Sequence, residues 1–128
     1  RVRRLEGGVV NLTSDLEMAK IRAIRENAFV VVSFGANNYH MFIDTGDGLG
    51  GPPNWNQDVG ERQILHRKMP AGVQIDTGSL NFPTISNRMR FNARGIPPDL
   101  VSERNIPVAS AVKNRQVSIN RLGFINIQ

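Results

Sequence analysis

SDLEMAKIRAIRENAFVVVSF, residues 14–34, changes character halfway along. In its first half, apolar residues recur three and four positions apart among charges, which is the period of a helix. From Phe29 the types become β-branched and aromatic, which suits a strand. A helix that runs almost directly into a strand leaves one question on each side. What does the helix cover, and what completes the sheet?

Upstream, Val2, Leu5, Val9, Leu12, Leu16, Ala19 and Ala23 follow one another at alternating intervals of three and four. This is a narrow stripe of period 3.5, the pattern of a helix lying along a partner surface. Met18, Ile21, Ile24 and Ala28 set a second stripe beside it in the later half. The expectation is a helix that buries a wide arc against its own domain at its C-terminal end and projects at its N-terminal end. Gly7 and Gly8 each cost about 1 kcal/mol against Ala inside a helix. Ser14 with Glu17 offers a capping box that would start a shorter helix at residue 15. A continuous helix from about residue 2 to 27 is the preferred reading, with a bend allowed at the glycines.

Downstream, FVVVSF and YHMFID read as a hairpin across Gly35 to Asn38. Residues 45–60, TGDGLGGPPNWNQDVG, are too rich in Gly, Pro and Asn for regular structure. RQILHRK, GVQID, RMRFNA, NIPVAS, RQVSIN and GFINIQ then follow as short strands. One long N-terminal helix followed by many short strands predicts an α+β protein with the helix packed on antiparallel sheet. The natural division is a helix over 1–27 and a β-rich head over 28–128.

Composition sets the outer limits. The 128 residues, 40% hydrophobic and 21% charged, suit one globular domain. No apolar run approaches the 18 or so residues that span a bilayer. RVRRLEGG lacks the apolar core of a signal peptide, and a start at Arg1 is expected of a processed or trimmed chain. With no Cys, disulfides and thiolate metal sites are excluded. The net charge is +5, and from Arg104 onward Lys113, Arg115 and Arg121 follow with no acidic residue. Such a tail attracts nucleic acid or anionic lipid, although a solvated strand face reads the same way.

Chemistry is sparse. Asp44-Thr45-Gly46 and Asp76-Thr77-Gly78 each carry the local signature of an aspartic protease, but 32 residues apart they are too close to head separate half-barrels. The tripeptide is also ordinary turn chemistry. Asp44, Asp47 and Asp58 are weak candidates for Ca²⁺, without the ligand series of an EF-hand. His40 and His66 have no second ligand at helical or hairpin spacing and read as ordinary strand histidines. No nucleophile elbow and no phosphate or dinucleotide loop is present. Trp55, in a long Pro-flanked loop, is a candidate partner contact. The expectation is no enzyme, no cofactor and no small-molecule substrate.

The order of these features resembles one family. L-x-x-D-L-x-x-A-K-x-R-A-I-R-E-N, then a β-branched strand and Y-x-x-F-I-D, is similar to the GspH/FimT class of minor type IV pilins and pseudopilins. Met89 to Gly95 resembles that class's F-x-x-x-G strand-turn, and Val117 to Ile125 its closing hairpin. The resemblance implies a type IV pilin-like fold. It also implies a preceding apolar half-helix that anchors the subunit in the bacterial inner membrane, facing the periplasm. That half-helix is methylated after leader removal and later packs in the filament core. The chain would then be the second half of that helix with its head, and Leu5, Val9, Leu12 and Leu16 would face neighbouring pilins. The implied role is structural, in assembly or at the tip of a type IV pilus or type II secretion pseudopilus. The alternative is a DNA-binding minor pilin of the competence kind, using Lys113, Arg115 and Arg121. Phe124 stands where the class often has Arg.

Overall fold

Helix α1 (Val2–Glu26) runs unbroken past both glycines, about 37 Å at 1.5 Å per residue. The computed structural model describes residues 2–44, 63–82, 86–100, 102–111 and 113–127. Asn27 closes the helix in the left-handed conformation at φ 53°. Its N–H donates to the Ile24 carbonyl and the Ala28 N–H to the Ala23 carbonyl, 3.3 and 3.2 Å away, the paired bonds of a Schellman cap. The turn sends the chain straight back as a strand.

Among the described residues eight strands follow: β1 (Phe29–Phe34), β2 (Asn38–Asp44), β3 (Gln63–Lys68), β4 (Gln74–Ile75), β5 (Arg88–Phe91), β6 (Arg104–Ala109), β7 (Asn114–Ile119) and β8 (Ile125–Ile127). They form two four-stranded sheets of order β3-β2-β1-β5 and β4-β6-β7-β8, and every pairing is antiparallel. The chain changes sheet three times, since β4 leaves the first sheet and β5 returns to its far edge. The β1–β2 hairpin closes as its sequence predicts, with Gly35 N–H donating to Asn38 O at 2.7 Å.

Period-2 alternation decides which side chains point inward. Val30, Val32, Phe34, Tyr39, Met41, Ile43, Met89 and Phe91 from the first sheet meet Ile75, Ile106, Val108, Val117 and Ile119 from the second. All of them share one core with the helix. Helix α1 packs on β1 and β5 of one sheet and on β6, β7 and β8 of the other.

That placement overturns the expected orientation of the helix. Leu5, Val9, Leu12 and Leu16, expected to face neighbouring helices, are wholly buried in the chain's own core with Ala19 and Ala23. The cause is that the two sheets together cover α1 along its length, so its N-terminal half does not project. Of the second stripe, expected inside, Met18 and Ala28 pack partly buried against the core, whereas Ile21 is 54% and Ile24 50% exposed. Gly8 belongs to the buried seam. A Cβ there would lie 3.3 Å from Met69 Cε and from Pro70 Cδ, so the β3–β4 connection rides directly over the helix backbone. Gly7 faces open space.

Candidate functional site

Two charged contacts fix the helix so that one particular face looks outward. Asp15, 6% exposed in mid-helix, accepts from Tyr39 Oη at 2.6 Å and from both Arg67 Nε and Nη2, at 2.5 and 3.2 Å. Tyr39 and Arg67 are direct partners across β2 and β3, so one carboxylate ties the helix to the first sheet. A buried charge satisfied by three donors is held far more tightly than a surface pair. Nearer the N-terminus, Arg115 Nη1 meets both Glu6 carboxylate oxygens at 2.5 and 2.7 Å, tying the helix to β7 of the second sheet. With both ties made, rotation of α1 about its axis is fixed.

The outward face follows from the same period as the inward one. Gly7, Val10, Ser14, Glu17, Ile21 and Ile24 recur at intervals of three and four on the side away from the core. Val10 is 52% exposed. Met18 and Ile21 line a shallow, mainly apolar groove whose rims carry Thr13, Ser14, Glu17, Arg22 and Arg25. Large aliphatic side chains left in water along one helix edge mark an interaction surface better than scattered single ones do.

Two turns extend this face. Asn92-Ala93-Arg94-Gly95-Ile96 after β5 and Asn120-Arg121-Leu122-Gly123-Phe124 after β7 are built alike. In each, the Asn carboxamide oxygen accepts the backbone N–H groups two and four residues on, at 2.9 and 3.1 Å in the first turn and 2.9 and 3.0 Å in the second. In each, the fourth residue is Gly at positive φ, 77° and 88°, where a Cβ is strained. The turns stack on each other and on the helix. A Cβ on Gly123 would lie 2.6 Å from the Gly95 carbonyl oxygen, and one on Gly95 would lie 2.8 Å from Ile24 Cδ1. Lys20 Nζ completes the joint, donating to Gly123 O at 3.2 Å and lying 5.8 Å from the centre of the Phe124 ring. Leu122 and Phe124, 57% and 58% exposed, are thereby held beside the outward stripe. Sequence reasoning noted both turn segments but not their contact, which only the shared N-x-x-G spacing hints at.

The other sequence candidates fare differently. Arg115 points to the core side of its sheet and is committed to Glu6. Lys113 and Arg121 are exposed, but they flank the two ends of β7, roughly 25 Å apart at about 3.3 Å per residue. The three expected DNA contacts therefore do not form one patch. Asp44 is buried at the end of β2. Asp47, Asp58 and Trp55 lie outside the described residues. Among the described residues no group of three or more His, Asp or Glu is placed to hold a metal ion. Among them, too, no helix is long and apolar enough to cross a membrane.

This arrangement of one helix on two small antiparallel sheets has solved counterparts. The type IV minor pilin FimU of Pseudomonas aeruginosa superposes with a TM-score of 0.70 at 14% identity, over 98% of this chain and 89% of that one. The minor pseudopilin EpsH from the type 2 secretion system of Vibrio cholerae gives 0.66 at 12% identity, over 98% of this chain and 96% of that one. At such identities the likeness establishes a shared fold, type IV pilin-like as the sequence order suggested. No curated protein matches in sequence. The family model for type II transport protein GspH matches residues 9–123, which takes in most of the helix, strands β1 to β7 and both N-x-x-G turns. The chain belongs to the GspH family of type II transport proteins.

Proposed function

We infer that this protein is a non-catalytic filament subunit, a minor pilin or pseudopilin that packs against other pilin-like subunits through the outward face of α1. The observation that carries this reading is the exposed stripe of Val10, Ile21 and Ile24 with Leu122 and Phe124 held beside it. The head already covers the opposite face, so these side chains are the apolar surface that α1 offers a neighbour. Covering the exposed half of one such side chain is worth about 1 kcal/mol, enough in sum to help order an assembly already concentrated along a filament. The family accounts for an assembling partner of the same kind, in a type IV pilus or a type II secretion pseudopilus. The inner-membrane, periplasm-facing location that the resemblance implies is part of this proposal. The DNA-binding alternative draws less support, because its three cations are not brought together.

The test is a double substitution, Val10→Glu with Ile21→Glu, in the native protein and its filament system. Both positions are half exposed, so the purified variant keeps its thermal stability, whereas pilus assembly or type II secretion is lost. Full assembly by a stably expressed variant would overturn the reading.

A further inference from the structure

Away from the helix, the outer face of the first sheet brings together two residues that the sequence keeps apart. His40 on β2 and His66 on β3 are direct antiparallel partners, so their side chains leave the sheet on the same face. Their rings meet edge to face, 6.3 Å between centres. His40 is held from its other side by Phe42, whose ring lies 5.8 Å away and nearly parallel. Among the described residues neither imidazole makes a hydrogen bond, so their ring nitrogens are left to solvent or a ligand. We propose that His40 and His66 form a two-histidine site for a borderline transition-metal ion (Cu²⁺, Ni²⁺ or Zn²⁺), with water in the remaining positions.

The geometry is close to what chelation needs. Metal–nitrogen bonds of about 2.0–2.1 Å put two tetrahedrally bound imidazole centres about 5 Å apart. The observed separation is about an ångström greater, which rotation of the exposed His66 ring closes while Phe42 keeps His40 in place. A ligand imidazole must be neutral. Arg88 lies in the same row but beyond Ser33, two strands from His40, so a bound ion and its charge have a full strand between them. Imidazole pairs suit late first-row divalent ions, and not Mg²⁺ or Ca²⁺. Occupation would staple β3, an edge strand whose ladder is interrupted between Met41 and Phe42, to its neighbour.

Isothermal titration of the purified chain with CuCl₂, NiCl₂ and ZnCl₂ at pH 7.5, beside a thermal melt in each metal, tests the site. The expected result is one ion per chain, tightest for Cu²⁺, with a raised melting temperature and no response to Mg²⁺. His66 is exposed on an edge strand, so His66→Ala leaves the metal-free melting temperature unchanged while weakening binding at least about tenfold, as loss of one of two protein ligands demands. Absence of binding at millimolar metal would overturn the site. So would one-to-one binding that survives His66→Ala, which would place the ion elsewhere.

Discussion

Tyr39 shows how much a single side chain can depend on distant partners. Burial, then its hydrogen bond to Asp15 and the charge there, push the phenol above its ordinary value of 10, with Arg67 opposing. In the unfolded chain the phenol ionises at about 10, so above that pH the folded state holds the proton more tightly. The contribution is fully present below pH 10 and is lost as pH rises beyond it. Tyr39 is the chain's only tyrosine. Tyr39→Phe is therefore expected to cost about 1 kcal/mol at neutral pH and to flatten the alkaline fall, read by urea unfolding at pH 8 and pH 11. Gly123 makes the second prediction at this scale. Gly123→Ala meets the left-handed penalty and the Gly95 carbonyl together, so a loss of about 2 kcal/mol or more is expected in chemical denaturation. Little of this was legible in advance. Asp15 reads as a surface charge on a helix, and its partners stand 24 and 52 positions away. His40 and His66 likewise look solitary until β2 and β3 are paired.

The elements themselves were largely legible, because each rests on local chemistry. Every described strand falls within or across a run singled out by its β-branched and aromatic content, and the helix keeps its period across Gly7 and Gly8. The interleaving of the sheets was not legible, since a strand's pattern says which face is apolar but not which edge it joins. The same limit explains why the N-terminal half of the first stripe was expected to face neighbours. Period 3.5 identifies a face, but it does not distinguish a neighbour's surface from the chain's own core. The two adjacent glycines separate these environments. Gly7→Ala, in open space, is expected to stabilise the protein by about 1 kcal/mol. Gly8→Ala gains nothing, because the new methyl group presses on Met69 and Pro70. Equal gains from the two in urea titrations would contradict the packing of the β3–β4 connection on α1.

At the scale of the whole molecule, the head is a clamp around one side of a helix, and the other side is the one we propose for assembly. The Glu6–Arg115 and Asp15–Tyr39–Arg67 contacts decide which side is which. Removing the first, by Arg115→Ala, is expected to cost about 1 kcal/mol and to loosen the N-terminal turns of α1, seen as faster amide exchange over residues 5–10. The Lys20–Gly123 joint adds a consequence in time. It spans 103 positions, linking the helix with a hairpin that is synthesised well after it. A contact of such sequence separation forms late, after the costly loop between its ends has closed. While the chain is still threading out, α1 has no second sheet beneath it, and both of its apolar stripes are bare. The residues of the β7–β8 hairpin thus act as a latch on a vectorial process. Until they arrive, the part of the inward surface that the last hairpin covers is open to capture beside the surface we propose for a neighbour.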